Sequence, residues 1–175
     1  MILSKDEISI RKFESKDIPK KVEWINNPLN NKFLHYDIPL DEKKTEEWFL
    51  GKDNIRRFDG IIEYNHIPVG LIGLLAIEKE NKKAEFYISI GEHSHKRKGI
   101  ATQATLLLLE YAFTALELNK VYLNVDEDNV AACALYEKCG FLCEGIFVKD
   151  MLRRGQWINR KRYAILKENV KKQRI

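Results

Sequence analysis

The sequence lacks the features that would mark several kinds of protein. It has only three cysteines, Cys133, Cys139 and Cys143, an odd number with no Cys-x-x-Cys pair. That argues against a disulfide framework and against a zinc site. His93 and His95 bring no matching thiol or carboxylate spacing, so no metal is expected. No uncharged apolar run approaches the ~18 residues of a membrane span. The amino terminus has no basic patch followed by an apolar stretch, so no signal peptide is expected. There is no internal repeat, no low-complexity tract and no linker rich in Pro, Gly or Ser. Neither G-x-x-x-x-G-K-[ST] nor a G-x-G-x-x-G after a strand is present. What remains is the expectation of a cytoplasmic protein with a single domain over residues 1–175, long enough to bury a real core.

Charge is mild overall: 30 Lys and Arg against 26 Asp and Glu, a net +4 that does not by itself imply nucleic acid. Its distribution is uneven, with ten basic and two acidic residues from Lys149 to Ile175. This end could meet RNA, an anionic cofactor or an acidic partner, or form a solvated strand and tail. The RNA reading lacks the interleaved aromatics of a single-strand platform.

The patterning predicts a mixed α/β chain with one central sheet flanked by helices, in the order β-α-α-β-β-β-α-β-α-β-β. Ile8–Phe13 alternates as an opening strand, and Ser15 with Pro19 starts a short helix that Asn26-Asn27-Pro28 ends. Asp41 caps a second helix carrying Trp48, Phe49 and Leu50, with Gly51 suited to its C′ position. Phe58–Tyr64 and Ile67–Ile77 read as a hairpin about Asn65-His66. In Ala84–Ile90 the alternation puts Glu85, Tyr87 and Ser89 on one face and Ala84, Phe86, Ile88 and Ile90 on the other. Ile100, Ala104, Leu107, Leu108, Tyr111, Ala115 and Leu118 follow helical spacing. Val121–Val125 is a strand, Asp128 or Asn129 caps a helix ended by Gly140, and Phe141–Val148 and Lys161–Leu166 close the sheet.

The strongest chemical signal is a strand, a basic loop, a glycine and a helix: Ile88-Ser89-Ile90, then Lys96-Arg97-Lys98-Gly99-Ile100-Ala101. Unpaired N–H groups and the dipole at a helix start favour phosphate or pyrophosphate, and glycine lets backbone approach it closely. The ordinary alternative is a solvated basic turn. In a second segment Asn129 and Tyr136, seven residues apart, share one helix face. They read as a pair for binding and proton transfer, or as a cap and a core residue.

Together these segments resemble the GNAT superfamily of acetyl-CoA-dependent N-acetyltransferases. The family signature [Arg/Gln]-x-x-Gly-x-[Gly/Ala] reads here Lys96-Arg97-Lys98-Gly99-Ile100-Ala101. The later Asn-x-x-[Ser/Ala]-x-x-x-Tyr-x-x-x-Gly-Phe block is matched by Asn129, Ala132, Tyr136, Gly140 and Phe141. The two blocks span roughly residues 84–148, and the element order fits over nearly the whole chain. Lys96 stands where Arg or Gln is usual, and Arg97 where many members carry a second Gly.

The resemblance implies that the backbone of Ile88, Ser89 and Ile90 binds the pantetheine arm, with an N–H near Ile88 as oxyanion donor. It implies that Lys96 to Ala101 holds the pyrophosphate, that Asn129 contacts the arm, and that Tyr136 protonates the departing thiolate. The acceptor amine must lose a proton, because an alkylammonium of pKa ~10 is about one part in a thousand neutral at pH 7, a cost of about 4 kcal/mol. Glu85, which shares its strand face with Ser89, is the first candidate base; its plain reading is a strand carboxylate paired with a lysine. His35 and Asp37 are alternatives, since the loop holding His35, Tyr36 and Asp37 shapes the acceptor pocket in this family. An acetyl-cysteine route through the three thiols is disfavoured, because Cys133 and Cys139 sit where small apolar residues pack.

The arrangement of Val22–Pro28 and Glu47-Trp48-Phe49 resembles the branch acting on ribosomal-protein amino termini, polyamines and nucleotide-linked amino sugars. Asp37, Asp41, Glu42, Glu46 and Glu47 would suit a cationic acceptor, with Lys43 and Lys44 diluting them; a nucleotide sugar would prefer Arg153, Arg154 and the basic end. The rival of another class is a non-catalytic acyl-CoA-binding sensor, against which Tyr136 speaks. A homodimer through the closing strands is the expected assembly.

Overall fold

The computed structural model describes residues 2–172. Its described residues form one eight-stranded sheet with helices on both faces, the α/β architecture that the patterning implies. The strands are β1 (Ile2–Lys5), β2 (Ile8–Lys12), β3 (Phe58–Tyr64), β4 (Ile67–Glu78), β5 (Lys83–Ile90), β6 (Lys120–Asp126), β7 (Leu142–Arg153) and β8 (Gln156–Leu166). They lie in the order β1-β2-β3-β4-β5-β6-β8-β7. All neighbours are antiparallel except β5 with β6. The helices are α1 (Ile18–Asn26), α2 (Glu42–Gly51), α3 (Ile100–Thr114), α4 (Val130–Lys138) and α5 (Lys167–Lys172).

Period-two alternation divides the interior into two cores. Ile62, Ile72, Ala84 and Phe86 point to the side covered by α3 and α4, where Ala104, Leu108 and Tyr136 meet them. Ile61, Leu71 and Tyr87 point to the other side, against Trp24, Ile25 and Trp48 of α1 and α2. The face assignment made for β5 therefore holds, and Glu85 sits on the α1–α2 side with Tyr87. Gly73 of β4 makes room for that tyrosine: a Cβ there would lie 2.4 Å from the Tyr87 ring.

Several boundaries differ from the sequence reading. β1 was not expected; it joins β2 through a turn at Asp6, whose φ is 53°. Ser15 opens a 3₁₀ turn capped by Glu14, so α1 begins at Ile18. Asp41 does cap α2 through the Lys44 N–H, but Gly51 ends inside the helix and Lys52 is the C-cap. α3 stops at Thr114, and Leu118 is buried beyond it. β7 and β8 are longer than expected and form a hairpin about Arg154 and Gly155, both at positive φ. α5, also unexpected, occupies part of the basic end; residues 173–175 of that end lie outside the described residues.

One feature of the sheet positions the site. β5 and β6 pair only at Lys83↔Lys120, Ala84↔Val121 and Glu85↔Tyr122. β5 nevertheless stays in register with β4 as far as Ile90, and β6 with β8 as far as Asp126. Past Glu85 the two strands splay apart, leaving the β5 edge from Phe86 to Ile90 without a ladder partner on that side. Such an edge is ready to accept an extended polar chain as a further strand.

Candidate active site

The splay opens into a cleft of about 970 Å³ that reaches both faces of the sheet. Glu85 to Ile90 form one wall, and Asn124 to Asp126 with α4 form the other. At the α3 end, two residues bend the basic loop: Arg97 at φ 65° and Gly99 at φ 78°. A Cβ on Gly99 would meet nothing within 4 Å, so glycine is required there for its backbone angle. Arg97 adopts the left-handed region with a side chain, at a cost of about 1–2 kcal/mol. It thus replaces the family's second glycine by accepting strain.

No side chain caps α3, and its first intrahelical bond runs from Gln103 N–H to the Gly99 carbonyl. The N–H groups of Ile100, Ala101 and Thr102, residues that line the cleft, therefore remain outside the helix ladder. Lys96 also lines the cleft, but its ammonium donates to Asn30 Oδ1 at 2.7 Å, tying the loop to the chain after α1. Burial pushes its pKa down. Lys98 is exposed and outside the lining.

Across the cleft, Asn129 caps α4 through its Oδ1 and the Ala132 N–H, and its Nδ2 has no partner among the described residues. Two turns on, Tyr136 is 7% exposed, with its ring against Phe86 and Phe141. Tyr136 lines the cleft, and its hydroxyl has no hydrogen-bond partner among the described residues. Burial raises its pKa, aided by the neighbouring Cys133 and Cys139, and keeps it protonated. Cys139 is itself pushed up to about 11 by burial, which makes it a packing thiol rather than a nucleophile.

Glu85 occupies the vertex of the splay, half-buried, with Asn124 Nδ2 3.5 Å from Oε1 and no lysine paired to it among the described residues. His35 and Tyr36 line the α1–α2 end; Asp37 is exposed and lies outside the lining. His35 Nε2 is 3.0 Å from Asp126 Oδ1, and Arg153 donates to the other oxygen of this buried carboxylate. The loop before α2 is thereby pinned to the tip of β6 and to the closing hairpin. Arg153, Arg160, which donates to Asp150, and Arg162, stacked 3.6 Å over Tyr122, place much of the basic end in local pairs.

A second group of residues at this end was missed in the sequence reading. Asp59 of β3, buried, accepts from Arg57 at 2.8 and 2.9 Å, from the Tyr87 hydroxyl at 2.8 Å and from Lys52 at 3.3 Å. Burial alone would raise its pKa, but the Arg57 and Tyr87 bonds and the nearby cations outweigh it and hold the carboxylate below its ordinary value. Trp48 lies among these cations, with Lys21 3.4 Å and Arg57 5.0 Å from its ring centre. Asp41, Glu42, Glu46 and Glu47 do not line the cleft. Among the described residues no group of three or more His, Cys, Asp or Glu could hold a metal ion, and no helix is long and apolar enough to cross a membrane.

A splayed parallel strand pair, an uncapped helix start and a buried phenol facing them suit an acyl thioester with a phosphorylated handle. The sequence matches the family described as Acetyltransferase (GNAT) domain over residues 7–142. The chain belongs to this family. A spermidine N(1)-acetyltransferase of Vibrio cholerae is 31% identical over 163 residues, covering 91% of this chain and 93% of that enzyme. The Escherichia coli K12 spermidine N(1)-acetyltransferase is 38% identical over 110 residues, 63% of this chain and 58% of its own length. The crystal structure of the Vibrio cholerae enzyme in complex with CoA and spermine superposes with a TM-score of 0.85 at 28% identity, over 93% of this chain and 97% of that one. This GNAT protein is an acetyl-CoA-dependent N-acetyltransferase, moving an acetyl group to an amine.

Proposed function

We propose that the chain acetylates a small-molecule primary amine, delivered from the α1–α2 side to acetyl-CoA lying in the splay. The observation that carries this reading is the division of the cleft by the sheet. Tyr136 and the α3 start belong to one side, Glu85 and the enclosed aromatic end to the other, and the unpaired β5 edge joins them.

In this reading the backbone of Ile88, Ser89 and Ile90 adds the pantetheine arm as a strand, and an N–H near Ile88 receives the developing oxyanion. Lys96, Arg97 and Gly99 to Ala101 hold the pyrophosphate through backbone N–H groups and the helix dipole, with Arg97 adding charge and Lys98 left outside the cleft. Asn129 offers its free Nδ2 to the arm. Glu85, directly or through water, takes the proton that the acceptor ammonium must lose before it attacks. His35, oriented by Asp126, is the alternative base; Asp37 is withdrawn from that role because it lies outside the cleft lining. As the tetrahedral intermediate collapses, Tyr136 gives its proton to the departing thiolate. The burial that raises the phenol pKa also raises that of a thiol at the same place, so the transfer remains matched.

We further propose that residues 1–175 act as one domain, in the cytoplasm, as a homodimer. The exposed Leu142, Ile146, Phe147 and Leu152 on β7 and Trp157 on β8 supply an apolar edge for a second copy, and sedimentation checks the assembly. The test of the enzymatic reading is thiol release from acetyl-CoA against spermidine, amino sugars, aminoglycosides and peptides with free amino termini. Turnover confined to peptides would overturn the small-molecule acceptor. Acetyl-CoA binding with no turnover on any amine would favour a sensor.

A further inference from the structure

Around Asp59, the acceptor end of the cleft gathers more positive charge than that carboxylate can neutralise. Asp59 is saturated: Oδ1 accepts from Arg57 and Tyr87, and Oδ2 from Arg57 and Lys52. Lys21, on the adjoining turn of α1, is left over. It is 6% exposed and makes no hydrogen bond or ion pair among the described residues; its ammonium rests on the Trp48 ring. Burying an ammonium without an anion is expensive, and such groups are normally paired. The depression of its pKa to about 8, caused by burial and by the charges of Arg57 and Lys52 against the pull of Asp59, agrees with a missing partner.

Space for that partner exists. A side cavity of about 370 Å³ opens between α1 and α2, sharing Lys21, Tyr36, Trp48 and Arg57 with the main cleft. It adds Lys44 and contains no carboxylate. The exposed acids of α2 that would have suited a cationic acceptor, Glu42, Glu46 and Glu47, line neither cavity. A second ammonium placed in this side cavity would face Lys21, Lys44 and Arg57 and be repelled.

We propose that this side cavity is an anion subsite, and that the acceptor is an amine which also carries a phosphate or carboxylate. Lys21 and Arg57 grip the anionic group, Lys44 closes over it from α2, and the Tyr36 hydroxyl supplies a neutral donor. The primary amine then points back toward Glu85. The proposal rests on the small-molecule reading above and names its substrate class.

The test uses CoA-saturated protein, so that the phosphate-binding loop of α3 is filled and no turnover is needed. Calorimetric titration compares glucosamine with glucosamine 6-phosphate, putrescine with ornithine, and spermidine. The expected result is that the phosphate- or carboxylate-bearing member binds at least about tenfold tighter in one or both pairs, the worth of one or two charge-assisted contacts. Lys21→Met should reduce that preference to within about twofold, and Lys44→Glu, an exposed substitution that does not put folding at stake, should reduce it likewise. Equal binding within both pairs, tighter binding of spermidine, or a preference that survives both substitutions would overturn the subsite. Selective binding of an anionic amine with no thiol release from acetyl-CoA would leave the subsite standing and sink the catalytic reading instead.

Discussion

Lys21→Met replaces an ammonium on a largely buried side chain, without a hydrogen bond or ion pair among the described residues, by an apolar side chain of similar length, and it should stabilise the free protein at neutral pH. The Lys21 pKa falls from 10.5 to about 8 on folding. That difference amounts to about 3 kcal/mol of penalty wherever both states are protonated. The cation–π contact with Trp48 returns up to about 2 kcal/mol, so the substitution should gain between about 1 and 3 kcal/mol at pH 7. Methionine keeps a favourable contact with the same ring.

The sign of the pH dependence follows from the direction of the shift. A folded pKa below the unfolded one means the native state sheds its proton first. The wild-type disadvantage is therefore full below pH 8, shrinks as pH rises through the window from about 8 to 10.5, and is gone above it. Urea unfolding of both proteins at pH 7 and pH 9.5 measures this directly. The gain from the substitution should fall by up to about 2 kcal/mol between those two values. A variant less stable than wild type at pH 7, or a difference that does not change with pH, would refute the claim that Lys21 is a cation held at a cost by burial.

Tyr136→Phe keeps the ring packing against Phe86 and Phe141 while removing the proton. It should lower kcat by ~10²-fold or more with acetyl-CoA affinity within about twofold, measured by thiol release and direct titration. Gly99→Glu should weaken acetyl-CoA binding by at least ~1–3 kcal/mol, through repulsion at the phosphate loop and loss of the residue suited to φ 78°; unchanged affinity in the folded variant would remove this loop from the site. Asp59→Asn withdraws the one carboxylate holding Arg57 and Lys52. It should cost about 3–5 kcal/mol in a chemical-denaturation series, with Lys21→Met partly restoring it.

The backbone features of the half proposed to hold the cofactor were legible in the sequence because they are local. The left-handed turn shows as Gly99 and as the departure at Arg97, the α4 cap shows as Asn129, and the two faces of β5 show in strict alternation. The acceptor half was not legible. Lys21, Lys52, Arg57 and Asp59 come from α1, the end of α2 and the start of β3, and each reads in its own segment as an ordinary solvated charge. Only the closure of α1 and α2 over β3 brings them together and buries them. The same holds for Asp126, whose partners His35 and Arg153 lie 91 and 27 residues away in the chain. β1 escaped notice because four residues with a lysine carry little alternation, and its pairing to β2 decides the matter.

In the proposed mechanism the splay of β5 and β6 presents acetyl-CoA to an amine, with Tyr136 returning the proton. Thiol release from acetyl-CoA with a panel of amines tests it most directly. Turnover on at least one small primary amine, reduced to a small residue by Tyr136→Phe, is the expected result. Absence of acetyl-CoA binding, or turnover indifferent to the loss of the phenol, would contradict it.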